Sequence, residues 1–106
     1  MPKYLIQGSY SDQGLKGLLE EGGSKRREAA EQSIKGLGGR LEAFYYAFGK
    51  HDFVAIADLP SNVDASALSL TANVSGAVKS RMTVLITPEE VDQATKRTVK
   101  FRAPGK

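Results

Sequence analysis

The sequence predicts an α+β fold in which helices cover one face of a four-stranded antiparallel sheet. Two observations lead to this prediction. Apolar residues recur at strand and helix spacings in the order strand, helix, strand, strand, helix, strand, and a further helix follows. The segment from Arg40 to Leu59 is apolar on both faces of two strands joined by a tight turn, whereas a hairpin with one solvated face alternates apolar and polar residues.

The first strand is predicted over residues 3–10, and a helix follows it. Asp12 can cap this helix, and Gly22-Gly23 interrupts it, because two adjacent helical glycines cost about 2 kcal/mol relative to alanine. The backbone either bends at the glycines or approaches another group closely. A second helical segment, capped by Ser24, runs to Leu37 and ends before another pair of glycines.

The two strands of the hairpin are joined by the turn Gly49-Lys50-His51-Asp52. Strict alternation places two sets of apolar side chains on opposite faces of the first of these strands: Leu41, Ala43, Tyr45 and Ala47 against Phe44, Tyr46 and Phe48. The second strand alternates in the same way from Phe53 to Leu59, and Pro60 ends it. We therefore expect one of Tyr45 and Tyr46 to face the helices and the other to face the opposite side.

The remaining residues predict a helix, a fourth strand and a C-terminal helix. Asn62 or Asp64 can cap the helix, which runs from Ala65 to about Ser75. The strand covers residues 78–87. Thr87-Pro88-Glu89-Glu90 is typical of a helix start, with a capping threonine, a proline in the first turn and acids near the positive end of the helix dipole. This last helix is expected to reach about residue 98.

This element order is that of the ferredoxin-like fold, a split βαβ arrangement. Right-handed crossovers place both main helices on one face of the sheet. The other face would then expose apolar side chains from three strands, and burying each large one is worth roughly 1.5–3 kcal/mol. We therefore expect a second copy of the chain, related by two-fold symmetry, to cover that face in a homodimer or higher homo-oligomer.

The charge distribution restricts the classes of partner. The 106 residues carry a formal charge of +3, but five basic residues and no acidic residue lie in the last eleven positions: Lys96, Arg97, Lys100, Arg102 and Lys106. Without that segment the formal charge is −2. We therefore predict one domain over residues 1–98 with a solvated basic tail over residues 99–106, and no nucleic-acid partner.

Several site classes are disfavoured by residues and motifs that the sequence lacks. It has one histidine and no cysteine, which argues against a zinc or iron site. It has no dinucleotide fingerprint, P-loop or serine-hydrolase elbow, so no cofactor is expected. Without cysteine or an apolar run of membrane-spanning length, the sequence fits a cytoplasmic protein with no membrane partner.

Four segments carry a family resemblance: Pro2-Lys3-Tyr4-Leu5-Ile6-Gln7, Gly22-Gly23-Ser24-Lys25-Arg26-Arg27, Phe48-Gly49-Lys50-His51-Asp52 and Leu85-Ile86-Thr87-Pro88-Glu89-Glu90-Val91. With these segments the chain resembles the GYD-domain family over nearly its whole length. The namesake glycine, tyrosine and aspartate correspond to Gly49, His51 and Asp52, so histidine replaces the tyrosine. The resemblance implies a ferredoxin-like fold of the dimeric α+β barrel type. It implies no established activity, because the family is one of unknown function.

His51 and Asp52 are the candidate catalytic residues. A histidine beside a carboxylate can act as a general base. Adjacent strand residues point to opposite faces, however, so the turn would have to redirect one of the two side chains. The favoured alternative is that Asp52 accepts backbone hydrogen bonds of the turn while His51 lies at an exposed tip.

The candidate ligand-binding residues lie in the glycine-rich helix segment and among the tyrosines. Gly22 and Gly23 can expose backbone N–H groups to an anion, and Arg26 falls near the apolar stripe of the helix, where it can point into a pocket. A bend with solvated basic side chains is the alternative. Aromatic side chains at strand spacing can line an apolar pocket with their hydroxyls as polar groups, although core or interface roles are commoner. The candidates of this kind are Tyr10, Tyr45 and Tyr46.

The leading functional hypothesis is a small homo-oligomer that binds a small organic or anionic ligand in a cleft between sheet and helices. One alternative is a cofactor-independent isomerase or monooxygenase-like enzyme in which His51 or a tyrosine transfers a proton. Another is a structural or interaction module without a ligand. An enzyme needs a titratable group in a closed pocket, a binding module needs only the cavity, and an interaction module needs an apolar patch left exposed after dimerisation.

Overall fold

A computed structural model describes the whole chain, from Met1 to Lys106. Its elements in chain order are β1 (Lys3–Tyr10), α1 (Asp12–Glu21), α2 (Gly23–Gly36), β2 (Arg40–Tyr46), β3 (Phe53–Asp58), α3 (Asn62–Val74), β4 (Val78–Leu85) and α4 (Pro88–Thr95). The predicted order of strands and helices is confirmed. The interrupted first helix is in fact two helices, α1 and α2.

The four strands form one antiparallel sheet in the order β2-β3-β1-β4. The central strands β1 and β3 align Tyr4 with Ala57. Both α2 and α3 lie on the same face of the sheet, because Ile34 from α2 and Ala65 from α3 are buried in one core with those strand residues. This arrangement confirms the predicted ferredoxin-like fold.

The buried core between sheet and helices is small. It consists of eight apolar side chains: Tyr4, Ile6, Ile34, Phe53, Ala55, Ala57, Leu59 and Ala65. The hydroxyl of the buried Tyr4 donates a hydrogen bond to Asn62 Oδ1 at the start of α3, so its one polar atom has a partner. A domain of this size buries a low fraction of its surface and therefore gains from any further buried interface.

A β-bulge in β2 changes the predicted alternation of the hairpin. Leu41 and Ala43 pair with adjacent residues of β3, so Glu42 is the extra residue at the register shift. Leu41 therefore lies on the helix face, and the prediction that it shares a face with Ala43 is wrong. Beyond the bulge the two tyrosines that end β2 lie on opposite faces, as predicted, with Tyr46 towards the helices.

The helix starts differ slightly from the predicted caps. Ser11 rather than Asp12 caps α1, and Ser61, one residue before the helix, caps α3. A hydroxyl just before the first turn can reach the free N–H groups of that turn. The predicted cap by Ser24 is wrong, because α2 begins directly after Gly22 and has no side-chain cap. Gly22 has a φ of 86°, a value that glycine adopts readily, and it separates α1 from α2.

The face of the sheet opposite the helices is uncovered in a single chain. Its apolar side chains come from three strands: Leu5, Ala43, Tyr45, Val54 and Ile56.

Four charged side chains form a network at one end of the sheet. Lys3 Nζ lies 2.6 Å from Glu42 Oε2 and 3.1 Å from Asp58 Oδ1, and an Arg40 guanidinium nitrogen lies 3.2 Å from Asp58 Oδ2.

The C-terminal helix α4 extends away from the sheet. The Thr87 side chain accepts the Glu90 N–H while the Glu90 carboxylate accepts the Thr87 N–H, which confirms the predicted helix start. The helix ends at Thr95, a few residues earlier than predicted, and it contains no buried residue. The chain is consequently elongated, with principal extents of 57, 32 and 23 Å. None of the four helices has the length and apolar character needed to cross a membrane.

Candidate ligand-binding cleft

A cleft of about 330 Å³ lies between the helix face of the sheet and the two helices α2 and α3. Its walls come from all four strands and from both helices, and they are mostly apolar. Arg26, Ser33 and Ser80 are the lining residues with polar or charged side chains other than tyrosine. Concave sites of this size, with apolar walls and few polar groups, are typical of sites for small organic ligands.

The cleft is open because α2 presents small side chains to the sheet. Ala29, Ala30 and Ser33 line the cleft from α2, and Ala72 lines it from α3. Ile34, one turn beyond Ala30, is only 2 % exposed and belongs to the core. Larger side chains at the alanine positions would pack against the sheet and fill the space, as close-packed protein interiors normally do.

Four aromatic rings form a series, of which Tyr10, Phe53 and Phe44 line the cleft and Tyr46 does not. The ring centroids of Tyr10 and Phe53 lie 5.4 Å apart, those of Phe53 and Phe44 lie 5.8 Å apart, and those of Phe44 and Tyr46 lie 5.2 Å apart. Tilted, stacked and edge-to-face contacts at these distances are favourable and hold the rings in place. The series therefore has a phenol at each end and apolar rings between them.

Arg26 and Tyr10 bring polar groups to the lining of the cleft, and the Tyr46 hydroxyl affects the Tyr10 phenol from outside that lining. Burial raises the pKa of Tyr10 to about 12, the Tyr46 hydroxyl acts in the same direction, and the Arg26 charge opposes both. The Tyr10 phenol is therefore protonated at neutral pH and available as a hydrogen-bond donor. The Tyr46 hydroxyl donates to the carbonyl oxygen of Gly23 at 2.9 Å, which joins the end of β2 to the start of α2.

The turn between β2 and β3 fixes the position of Tyr10. The Asp52 carboxylate accepts a hydrogen bond from the backbone N–H of Tyr10 at 2.8 Å. The backbone N–H of Asp52 donates to the Gly8 carbonyl at 2.8 Å, and the Ala47 N–H donates to the Asp52 carbonyl at 2.8 Å. Asp52 thus ties the turn to the end of β1, from which the Tyr10 ring enters the cleft.

Residues 4–95, from the first strand to the end of α4, match the family model of the GYD domain. The chain belongs to the GYD domain family. The resemblance seen in its motifs is thereby confirmed. The family has no established function, and no curated protein matches the chain.

The residues that correspond to the namesake motif of the GYD domain lie at the turn and not in the cleft. His51 is partly exposed, and neither His51 nor Asp52 lines the cleft. The hydrogen bonds of Asp52 are those of a residue that holds the turn. A catalytic role for these two residues stays a prediction. No group of three or more acidic or histidine side chains in this GYD domain lies close enough together to hold a metal ion.

The cleft brings together two of the predicted ligand-binding residues, Arg26 and Tyr10. A separate shallow depression at the edge of β2 is lined by three others: Gly23, Tyr45 and Tyr46. Gly22 lies between α1 and α2 and lines neither of these two concave sites. The glycine pair therefore shapes the chain before Arg26 without contributing to the walls of the cleft.

The contribution of α3 and β4 to the site is not among the sequence-based predictions. Leu68 from α3 and Ser80 and Met82 from β4 line the cleft. Asn73 Oδ1 accepts the backbone N–H of Ser80 at 2.7 Å, and Asn73 Nδ2 donates to the Ser80 carbonyl at 3.2 Å, so the end of α3 is fixed to β4. A signal was present, because Ser80 interrupts the apolar alternation of β4 on the face that points to the helices.

Proposed function

We propose that this GYD domain binds a small, mostly apolar organic molecule in the cleft, and that it does so as a homodimer. The observation that carries the proposal is a mostly apolar cleft of about 330 Å³ beside a core that has only eight buried side chains. Side chains around an empty apolar space lose packing contacts, and this destabilises the fold. An apolar ligand in the cleft would restore those contacts.

Binding is favoured over catalysis by the groups near the cleft. A general base has to be unprotonated at the working pH. With its pKa raised to about 12, the Tyr10 phenol holds its proton and serves as a donor. Arg26 is charged at any physiological pH and is likewise a donor. Both groups are suited to recognising a ligand, whereas neither is suited to removing a proton from it.

The homodimer part of the proposal is supported by the open face of the sheet. Apolar side chains of three strands, among them Leu5, Val54 and Ile56, lie there with no element of the same chain above them. Two copies stacked through this face about a two-fold axis would remove the same apolar surface from water on both subunits. That arrangement is the dimeric α+β barrel implied by the family resemblance.

The ligand part is tested by native mass spectrometry of the protein purified from its own host. We expect wild-type protein to retain a small molecule, and Ala72→Phe, which places a ring in the cleft, to lose it. Ala67→Phe is the matched control, because Ala67 lies on the exposed side of the same helix and does not line the cleft. Circular dichroism checks that both variants are folded. Equal retention by the two variants, or no retained molecule in any of the three proteins, would contradict the proposal.

The dimer part is tested by sedimentation velocity at micromolar concentration. Wild-type protein is expected to sediment as a dimer, and Ile56→Arg to sediment as a monomer, because an unpaired charge would be buried in the interface. Gln32→Arg adds the same charge at an exposed position of α2 and should leave the dimer intact. A folded wild-type monomer under these conditions would refute this part.

A further inference from the structure

The polarity of the cleft is unevenly distributed. Arg26 is the only charged residue among those that line it. Ser80 is held by Asn73 through its hydroxyl as well as its backbone, and the Ser33 hydroxyl donates to the Ala29 carbonyl within α2 at 3.2 Å. Both hydroxyls thus already have a partner in the protein. One end of the cleft therefore offers a cation, and the remainder offers mainly apolar contact.

The Arg26 guanidinium is weakly paired within the chain. Its ion-pair partner is Glu21, with 3.7 Å between Arg26 Nη1 and Glu21 Oε1, and the two side chains are 36 % and 47 % exposed. That distance exceeds the range of a good charge-assisted hydrogen bond. A guanidinium carries five N–H donors in a fixed fork that matches a carboxylate, so donors remain for a ligand.

The Tyr10 phenol complements the same kind of ligand group as Arg26. Tyr10 and Arg26 both line the cleft, and the Tyr10 phenol is protonated at neutral pH because burial raises its pKa to about 12. A protonated phenol and a guanidinium that line the same cleft are both donors, and an anionic oxygen can accept from both. A neutral or cationic head group would gain less at this end.

We infer that the ligand of the cleft is an amphipathic monoanion, with one carboxylate or similar oxyanion at Arg26 and Tyr10 and an unbranched or aromatic apolar body between α2, α3 and the sheet. This inference rests on the proposed function and specifies the ligand class for the same cleft. The volume limits its size. At the roughly 30 Å³ that a water-sized group occupies in a liquid, about 330 Å³ holds on the order of ten to twelve non-hydrogen atoms.

Three probes of equal chain length and similar size separate head group from apolar body: decanoate, decanol and decylammonium. Isothermal titration calorimetry of the full chain is expected to show the tightest binding for decanoate. Arg26→Gln should weaken decanoate binding by about ten- to hundred-fold, the usual range for loss of a hydrogen-bonded charge, and should weaken decanol binding much less. Arg27→Gln removes the same charge at the next, exposed position outside the cleft and should change neither.

The outcomes of this experiment distinguish a wrong ligand class from a failure of binding in the cleft. If decanol or the cation binds as tightly as decanoate, or if Arg26→Gln and Arg27→Gln have the same effect on decanoate, the inferred ligand class is wrong while binding in the cleft stands. If none of the probes binds to wild-type protein, the inference is refuted, and the native mass spectra decide separately whether the proposed function stands. If decanoate binds equally to wild-type and Ala72→Phe, it binds outside the cleft and the inference is again refuted.

Discussion

Two glycines in α1 allow a direct test of how this helix is docked. Gly14 and Gly17 both lie within α1. A Cβ atom added at Gly14 would lie 2.1 Å from the carbonyl oxygen of Ala77, whereas a Cβ added at Gly17 would have no atom within 4 Å. The same substitution by alanine therefore creates a steric overlap at one position and none at the other.

The magnitudes follow from this difference. Alanine is favoured over glycine in a helix by about 1 kcal/mol, so Gly17→Ala should stabilise the protein by roughly 0.5–1 kcal/mol. At Gly14 the helix has to move by roughly 1 Å to restore van der Waals distance. That movement breaks the 2.9 Å hydrogen bond from the Ser11 N–H to the Ala77 carbonyl, worth about 0.5–1.5 kcal/mol, and adds packing strain of about 1–3 kcal/mol. Gly14→Ala should therefore destabilise by roughly 1–3 kcal/mol.

Urea unfolding followed by circular dichroism measures both variants against wild type at one pH and protein concentration. The expected outcome is a change of opposite sign for the two substitutions, with unchanged dependence on urea concentration. If Gly14→Ala is as stable as Gly17→Ala, the contact between α1 and the start of β4 does not restrict this helix, and the reasoning is refuted.

Two further predictions concern pH. Hydrogen bonds from Lys3 and then Arg40 lower the pKa of Asp58 from 3.8, so the contribution of Asp58 to stability is present above that pH and is lost as the pH falls through the folded-state pKa. Asp58→Asn should lower the free energy of unfolding at neutral pH and make it depend less on pH in the acid range, as measured by urea unfolding at a series of pH values. An unchanged dependence on pH in the acid range would contradict this prediction. Because burial raises the pKa of Tyr10 to about 12, the contribution of Tyr10 to stability is complete below pH 10 and falls as the pH rises towards 12. Ultraviolet titration should show one phenol that ionises at higher pH than the others, and Tyr10→Phe should abolish that component. If the component survives the substitution, the phenol with the raised pKa belongs to another tyrosine and the prediction is wrong.

The order of elements could be predicted because each is set by local chemistry. Alternation of apolar residues predicts the strands, and the sequence from Thr87 to Glu90 predicts the capping box that the structure contains. The bulge at Glu42 could not be predicted, because it depends on the pairing of β2 with β3 and changes no residue type. One inserted residue is enough to move Leu41 to the helix face.

The cleft could be predicted only in part. Arg26 was placed near the apolar stripe by helical spacing, and the structure places it in the lining of the cleft. The empty volume itself depends on how far α2 stands from the sheet, and helical spacing does not report that distance. At the turn, the motif indicated His51 and Asp52 together, and the favoured interpretation was that Asp52 accepts backbone hydrogen bonds. The structure shows the Asp52 carboxylate accepting the backbone N–H of Tyr10, at the end of β1 rather than within the turn.

The cleft is bounded by Ile6, Ile34 and Phe53, which are also members of the buried core. Binding of the proposed ligand would therefore be linked to folding, and a ligand present at a hundred times its dissociation constant would add about 2.7 kcal/mol to the free energy of unfolding. Cellular proteases attack chains that open transiently, so the ligand-bound protein would be degraded more slowly than the ligand-free protein. If the proposed ligand binds, the amount of this protein in a cell would follow the concentration of that ligand.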